Sequence, residues 1–395
     1  MLLSIKKEEW LGNERNDFFA GLVSSVAILP EVIGFSIIAG VPPLMAVLAS
    51  AITLLVITFT GGRPAMVSAA AGSMALVIAG VVQAHGLSYM IATTILTGIL
   101  QIILGYLGIH KLMKHISKTV MLGFVSALAI LIFLAQVQQL PGQTVATYVM
   151  VALSIVLIYV LPKVTKVVPP ALIVIVLMTI VSFFFKGQLQ TVGDLGEMSA
   201  ATLRVALPAV PFSWETLLII LPPAVALSLV GLIESLLTLP IVDDMTESKG
   251  DSKREVKAQG LANIVTGLFG GQAGCAMIGQ AVINVKSGGR KRLSTLISAI
   301  TLFLFIFLLK DLMVQIPTAA LIGIMMTVAV DTFDWEAIHL FRRFEILECL
   351  ILLATVGVIV YTHNLAIGIV LGVILTLIIN CFSRQSKDEQ EPVSK

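Results

Sequence analysis

Residues 65–70 read Ala65-Met66-Val67-Ser68-Ala69-Ala70 and follow a Gly61-Gly62 pair. A similar phrase, Ala276-Met277-Ile278-Gly279-Gln280-Ala281, follows Gly270-Gly271, and its Ala-Met pair lies 211 residues after the first. Each phrase interrupts an apolar stretch. Backbone that leaves a helix inside a bilayer needs new partners for its N–H and C=O groups, so it occurs where protein or a water-filled cavity surrounds it. Two such breaks at corresponding places in two halves of a chain point to the central binding site of a secondary transporter.

The composition places the chain in a membrane. Of its 395 residues, 57% are hydrophobic and 12% are charged, whereas soluble domains have about 25% charged residues. The net charge of +2 comes without a basic stripe, so no nucleic-acid partner is expected. The three cysteines lie far apart in apolar sequence, which is typical of buried thiols rather than of a disulfide framework. The sequence contains no motif typical of an enzyme active site, and the protein is not expected to be an enzyme.

Fourteen membrane elements are predicted, most of them from runs of about 20 apolar residues and three from shorter segments near the breaks. Together they form a transmembrane domain over 18–382, between a cytoplasmic N-terminal segment (1–17) and a cytoplasmic tail (383–395). The predicted elements are 18–38, 43–60, 65–82, 87–108, 117–136, 144–161, 169–185, 214–242, 256–269, 276–286, 292–309, 312–330, 345–362 and 365–382.

Positive charge gives an independent test of this arrangement, because cytoplasmic loops are enriched in Lys and Arg. With the N-terminus inside, 22 of the 25 Lys and Arg residues fall on the cytoplasmic side, and Lys186, Arg204 and Lys310 fall on the other. Both termini are therefore predicted to be cytoplasmic, with the protein in the plasma membrane. The fourteen elements divide into two repeats of seven, 18–185 and 214–382. Because seven is an odd number of membrane crossings, the second repeat enters the membrane from the side opposite to the first, which predicts an inverted repeat.

The breaks are predicted to be short extended segments, each followed by a half-helix that begins near 69–72 or 280–282. Each half-helix would direct unpaired N–H groups and about half a positive charge at the membrane centre. Two such ends form an anion site without a buried cation. Small residues also let membrane helices pack closely, but their repetition at mirrored positions favours the binding site. The predicted substrate-binding residues are Glu31, Ser68, Ala69, Ala70, Ile278, Gly279 and Gln280.

Two glutamates lie inside predicted spans, Glu31 in the first and Glu234 in the eighth. An ionisable side chain at that depth costs about 2.5 kcal/mol or more, so function is the default explanation for its presence. Glu234 and Thr238 are four residues apart and share one helix face. They are predicted to offer oxygen ligands to a coupling Na+, or, in the alternative, Glu234 carries a proton. A neutral glutamate that joins helices by a hydrogen bond is the remaining interpretation.

Other polar residues are predicted to have supporting roles. Gln259 and Asn263 precede the second break and are expected to brace it. Solvated charge is expected for the acids at or beyond the cytoplasmic end of the eighth span, which are Asp243, Asp244, Asp251 and Glu255.

A family resemblance is carried by Glu234-Ser235-Leu236-Leu237-Thr238, 251–255, Ala258-Gln259-Gly260-Leu261-Ala262-Asn263-Ile264, Leu268-Phe269-Gly270-Gly271, Cys275-Ala276-Met277-Ile278-Gly279-Gln280, Asn284 and Ser287-Gly288-Gly289-Arg290. With these residues the chain resembles the SulP family of inorganic anion transporters. The resemblance covers essentially the whole chain and is specific in the 231–295 region. The resemblance implies a seven-plus-seven inverted repeat, with a core domain of spans 1–4 and 8–11 and a gate domain of spans 5–7 and 12–14. It also implies an anion between the half-helices of spans 3 and 10.

In a sodium-coupled bicarbonate branch of that family, an acid and a Thr four residues later bind Na+, and this chain has the same spacing with Glu in place of Asp. The Na+ site that the resemblance implies comprises Glu234, Thr238, Ala276, Met277 and Ile278. Two departures from the family pattern are noted. Most members carry a cytoplasmic STAS domain after the last span, and none is expected here. Many members have an Arg where this chain has Gln280, which leaves the helix dipole as the main expected attraction for an anion.

The predicted function is secondary active transport of sulfate or bicarbonate by alternating access, coupled to Na+ or H+. The fold class is an all-α polytopic membrane protein with two short segments of strand plus half-helix. No cofactor beyond the coupling ion is expected, and the expected partners are the anion, the lipid bilayer and, as an open alternative to a monomer, a second copy of the chain. Two other functions stay open: a nucleobase permease of the same architecture and a passive anion channel.

Overall fold

The computed structural model describes residues 6–111, 117–164, 168–185, 187–195, 205, 207–308, 310–338 and 346–388, with side chains as far as residue 379. Over these ranges the fold is all-α, as predicted, apart from one pair of two-residue strands. The elements are α1 (Glu14–Ala39), α2 (Pro43–Thr60), β1 (Ser68–Ala69), α3 (Gly72–His85), α4 (Leu87–Leu107), α5 (Lys118–Val137), α6 (Val145–Val164), α7 (Pro170–Ser182), α8 (Trp214–Thr246), α9 (Ser252–Leu268), β2 (Cys275–Ala276), α10 (Ile278–Lys286), α11 (Arg292–Leu308), α12 (Lys310–Val314), α13 (Thr318–Thr332), α14 (Ile346–Thr362) and α15 (Leu365–Asp388).

Six of the described helices are at least 18 residues long and apolar enough to cross a membrane, namely α1, α2, α4, α5, α6 and α8. Further apolar helices are shorter, among them α3, α11 and α13. The first helix begins at Glu14, inside the predicted N-terminal segment, and the last continues to Asp388, beyond the predicted start of the tail. Residues 389–395, and the two predicted non-cytoplasmic charges Lys186 and Arg204, lie outside the described residues.

The predicted span 312–330 is wrong at its start. The apolar run is continuous there, but Pro317 has no N–H group and disfavours helix in the residue before it. The chain at this point instead bonds to the segment before α8: Val192 N–H donates to Ile316 O at 2.8 Å, and Thr318 N–H donates to Gln190 O at 2.9 Å. A short α12 therefore ends at Val314, and α13 begins at Thr318.

The described helices pack in two groups. One group comprises α1–α4 and α8–α11, and the other comprises α5–α7 and α13–α15. The groups meet where α1 packs against α7 and α13, α3 against α5, and α8 against α15. These groups have the membership predicted for the core and gate domains. Their motion relative to each other, the inverted repeat and a homodimer stay predictions.

Helices α4 and α9 cross with their backbones almost in contact. A Cβ atom placed on Gly98 would lie 2.4 Å from the Gly260 carbonyl oxygen, and one placed on Gly260 would lie 2.6 Å from the Gly98 carbonyl oxygen. Close approach at small residues is a common way for helices to associate in a bilayer. One turn from the crossing, Asn263 Nδ2 donates to Gln101 Oε1 at 2.8 Å. The crossing therefore holds Asn263 in place beside the second break.

We expect Gly98→Ala to destabilise the protein by about 1–3 kcal/mol, because the added methyl group meets backbone that cannot rotate away. The readout is a lower apparent melting temperature of the purified protein in detergent. Gly80→Ala is the matched control, since a Cβ on Gly80 of α3 would have no heavy atom within 4 Å. Equal melting temperatures for the two variants would contradict a tight α4–α9 crossing.

Candidate functional site

The two breaks meet as an antiparallel pair of short strands. Ser68 pairs with Ala276 and Ala69 with Cys275, and both strands are buried. The predicted arrangement of strand plus half-helix is confirmed at both breaks. Because the strands are antiparallel, α3 and α10 leave the pair in opposite directions, and both helix starts lie next to it.

Neither half-helix has a side-chain cap. The residues before them, Ala71 and Met277, make no side-chain hydrogen bond to the helix that follows. Helix α3 begins within the predicted range, whereas α10 begins at Ile278, two residues earlier than predicted, because Ala281 N–H already donates to Met277 O at 3.0 Å. The first N–H groups of each helix lack intrahelical partners and carry the positive end of the helix dipole. Both starts are therefore suited to an anion.

Polar side chains from neighbouring helices hold the first break. Ala70 N–H donates to Ser50 Oγ of α2 at 3.1 Å, and Gln259 Nε2 of α9 donates to Ser68 Oγ at 2.7 Å. The polar groups of two predicted substrate-binding residues are thus bonded within the protein, and Ala69 lies buried between them. These residues form the wall behind the half-helix starts.

The second break is held in a similar way. Ala276 N–H donates to Ser235 Oγ of α8 at 3.1 Å. Gly274 N–H donates to Asn263 Oδ1 at 2.9 Å, and Asn263 Nδ2 donates to Gly274 O at 3.1 Å. Gln259 and Asn263 thus make the contacts with the breaks that were expected of bracing residues.

The first turn of α10 borders open space. Gly279 is exposed, and a Cβ atom placed on it would have no heavy atom within 4 Å. The next residue, Gln280, is fully buried, yet neither oxygen nor nitrogen of its amide makes a hydrogen bond of standard geometry with the described residues. Buried polar groups are rarely left in this state, since an unmade hydrogen bond costs about 1–3 kcal/mol. The arrangement therefore favours a polar ligand at this turn.

Glu31 on α1 interacts with the Gln280 amide through its carboxyl group, in a geometry that departs from that of a standard hydrogen bond. Glu31, Glu234 and Ile278 are each half-buried as residues. The structure thus brings together the predicted residues Glu31, Ile278, Gly279 and Gln280 at the start of α10.

Glu234 on α8 connects the first half-helix, α3, to the second strand, β2. Its Oε2 accepts hydrogen bonds from the Ser73 hydroxyl in the first turn of α3 and from Cys275 Sγ in β2 at 3.2 Å. Thr238, one turn further along, donates its hydroxyl to the Glu234 backbone carbonyl at 2.8 Å. The lone pairs of that hydroxyl are left for another donor or a cation.

The described residues contain no group of three or more His, Cys, Asp or Glu side chains that could hold a metal ion. A Na+ ion at Glu234 would therefore need hydroxyl and backbone carbonyl oxygens in addition to the one carboxylate, and such hard oxygen ligands suit an alkali cation. Residues 276–278 run from the end of β2 into α10. The Na+ site stays a prediction.

The expectation of solvated acids is wrong for Glu255 and Asp243. Glu255 is fully buried and accepts from Gly62 N–H at 2.7 Å and from Gln259 Nε2 at 3.0 Å. Asp243 Oδ1 lies 2.9 Å from Nε of the buried Arg63. Both acids hold the segment that enters β1, since Gly62 and Arg63 lie in that segment and are far from Glu255 and Asp243 in sequence.

Several functional contacts were not predicted, notably those of Ser73, Cys275 and Arg63. Ser73 lies in the first turn of a predicted half-helix, and this position could have indicated that its hydroxyl group contacts the candidate site. Cys275 was interpreted as a buried thiol, and Arg63 was counted among the cytoplasmic charges. Their partners become evident once the two breaks are placed side by side.

Comparison with known families and proteins gives a consistent result. The family model described as the sulfate permease family matches residues 15–157 and 143–355. The putative sulfate transporter YbaR of Bacillus subtilis is 48% identical over 372 residues, which are 94% of this chain and 78% of that protein. The bicarbonate transporter BicA of Picosynechococcus sp. is 30% identical over 362 residues, which are 82% of this chain and 62% of that protein.

Solved structures show the same fold. The transmembrane domain of a cyanobacterial bicarbonate transporter BicA matches with a TM-score of 0.82 and 28% identity, over 91% of this chain and 97% of that one. The murine Slc26a9 anion transporter in the inward-facing state matches with a TM-score of 0.82 and 18% identity, over 96% of this chain and 69% of that one, a likeness of fold alone. With the family model matched over most of its length, the chain belongs to the sulfate permease family of multi-pass membrane proteins.

Proposed function

We propose that the protein is a secondary active transporter of a small inorganic oxyanion, sulfate or bicarbonate, which binds at the starts of α3 and α10. The observation that carries the proposal is the uncapped first turn of α10, where Gly279 is exposed and the buried Gln280 amide, which lies beside Glu31, makes no hydrogen bond of standard geometry with the described residues. Free backbone N–H groups and a positive dipole end attract an anion. The amide adds a neutral donor at the same place.

The relatives support this substrate class without choosing within it. YbaR is a putative sulfate transporter and BicA a bicarbonate transporter. Both ions are small oxyanions that accept several hydrogen bonds, as the start of α10 requires. A neutral glutamine in place of a fixed positive charge leaves the dipoles and N–H groups to balance the charge of the anion.

We place the coupling cation among the two carboxyl groups of the site. Each helix start contributes about half a positive charge, whereas Glu31 and Glu234 would contribute two negative charges if both were ionised. An anion would then be repelled unless a cation entered with it. Glu234, with Thr238 and the backbone of residues 276–278, is the proposed Na+ site. Glu31, beside Gln280, is the proposed proton carrier if H+ is used instead.

Uptake into proteoliposomes tests the proposal. Labelled sulfate and labelled bicarbonate are each presented with an inward Na+ gradient, with an inward proton gradient and with neither, and protein-free liposomes correct for leakage of CO2. We expect accumulation of one anion that depends on one of the gradients. Failure to accumulate either anion under any gradient would reject the proposal.

Measurements on the same proteoliposomes also distinguish the two alternative functions, a nucleobase permease and a passive anion channel. Competition of anion uptake by uracil or xanthine would favour a nucleobase permease. Anion currents far above the turnover of a carrier, without accumulation against a gradient, would favour a passive channel.

We propose that the protein lies in the plasma membrane with both termini in the cytoplasm, because 22 of the 25 Lys and Arg residues fall on one side of the predicted topology. Alternating access would then come from motion of the α1–α4 and α8–α11 group against the α5–α7 and α13–α15 group. A cysteine introduced at Lys7, which is exposed, is expected to react with an impermeant thiol reagent in inside-out vesicles and not in right-side-out vesicles.

A further inference from the structure

Residues 7–17 of the N-terminal segment lie against the loop that joins α10 to α11. Asn13 Nδ2 donates to Gly288 O at 2.8 Å, and the fully buried Asp17 accepts from Arg290 N–H at 2.7 Å. These bonds join the start of α1 to the loop that follows the second half-helix. The loop after α10 is thus held by residues at the N-terminal end of α1.

Two further contacts extend this attachment. Lys291 Nζ donates to Glu8 O at 2.7 Å, and the Trp10 ring packs on Phe59 at the end of α2, with 5.2 Å between ring centroids. The N-terminal segment therefore contacts the element before the first break as well as the element after the second.

Arg292 joins these contacts at one point. Its guanidinium, 1% exposed, donates to Glu9 Oε2 at 2.6 Å through Nε. It also donates to Thr58 O at 2.9 Å and to Gly61 O at 2.7 Å. A buried charge needs a charged partner and satisfied hydrogen bonds, and Glu9 is the acid bonded to it. Arg292 thus fixes the end of α2 to the start of α11.

The bonds continue from this point into the first strand. Gly62, next to the carbonyl that Arg292 holds, donates its N–H to Glu255. Glu255 accepts from Gln259, and Gln259 donates to Ser68 Oγ in β1. A buried polar chain therefore runs from the N-terminal segment to the wall of the anion site.

We propose that Glu9 is a positioning residue for anion binding, acting through Arg292 on the relative placement of the α3 and α10 starts. The inference rests on the proposed function. Glu9 is 24% exposed and lies before the first membrane helix, so the affinity of a site deep in the membrane is set in part by a carboxylate at its edge. Loss of that charge leaves Arg292 without its bonded acid and loosens Gly61 and the α10–α11 loop together.

Glu9→Gln tests the proposal, and Glu8→Gln is the matched control, because the neighbouring Glu8 side chain is exposed and contributes its backbone carbonyl to Lys291. Both variants lose one negative charge. We expect Glu9→Gln to raise the KM for the transported anion about tenfold, the size of one charge-assisted hydrogen bond, with a smaller change in kcat. Glu8→Gln should leave both unchanged. A KM for Glu9→Gln within twofold of wild type would overturn the proposal.

A second measurement does not depend on transport. In hydrogen exchange of the ligand-free protein, Glu9→Gln should speed exchange in peptides covering 61–71 and 286–292, and Glu8→Gln should not. Faster exchange there together with an unchanged KM would show a purely structural role and overturn the proposal. Faster exchange with no anion uptake by the wild type would reject the proposed function and leave the contact network standing.

Asn13→Ala covers the case in which Glu9→Gln fails to fold. It removes the bond to Gly288 without changing charge, so we expect a smaller rise in KM and faster exchange in the α10–α11 loop. Unchanged exchange in that loop would overturn the proposal.

Discussion

Glu234→Gln is expected to lower cation-dependent uptake about 10- to 100-fold while the protein still folds and inserts. The glutamine keeps the shape of the side chain, and its oxygen still accepts from Ser73 and Cys275. The negative charge is lost, and with it a charge-assisted interaction with the coupling ion, which is typically about 1.5–3 kcal/mol. The measurement is initial uptake at a series of Na+ concentrations and pH values, at equal amounts of reconstituted protein.

Glu215→Gln is the control for this prediction. Glu215 lies in the first turn of the same helix but is exposed, so the same charge is removed far from the half-helix starts. Uptake by Glu215→Gln should match the wild type. If Glu234→Gln shows the ion dependence of the wild type, Glu234 has no part in coupling, and Glu31 becomes the candidate for that role.

The spans and the two breaks could be predicted because they depend on local sequence. Apolar runs of about 20 residues indicate where the membrane helices lie, and a repeated Gly-Gly followed by small residues indicates where the helices are broken. The split of one predicted span at Pro317 also had a local signal, since proline disfavours helix in the residue before it. The helix start at Ile278 was predicted two residues late because neither half-helix has a capping side chain to mark it.

The contacts that hold the site could not be predicted in the same way. Ser73 and Glu234 are 161 residues apart, and Glu255 and Gly62 are 193 apart. A single sequence gives the chemical type of each residue but not its partner, so Glu255 was predicted to be solvated when it is buried. The residues quoted for the family resemblance include Glu234, Gln259 and Asn263, which make contacts with the two breaks or their half-helices. The sequence therefore indicates the segments that form the candidate site but not the partner of each residue.

Gly279→Val is expected to abolish anion binding and to leave folding unchanged. Gly279 does not have a positive φ, and an added Cβ would meet no heavy atom within 4 Å. By contrast, a Cβ on Gly274 would lie 2.6 Å from the Ala69 carbonyl oxygen. The valine would fill the open space beside the first turn of α10, where the ligand must approach the N–H groups. Loss of two charge-assisted hydrogen bonds predicts an affinity about 100-fold lower or worse.

Anion binding is measured as the rise in melting temperature that sulfate or bicarbonate produces in detergent, and uptake is measured in proteoliposomes. Gly80→Val is the matched control, because Gly80 is also an exposed glycine in a half-helix with open space at its Cβ position, but it lies in the third turn of α3, away from the break. In the absence of ligand, both variants should have the melting temperature of the wild type. Of the two variants, only Gly80→Val should bind and transport the anion. Normal binding by Gly279→Val would place the anion elsewhere, because the N–H groups of α10 cannot be reached past a side chain in that space.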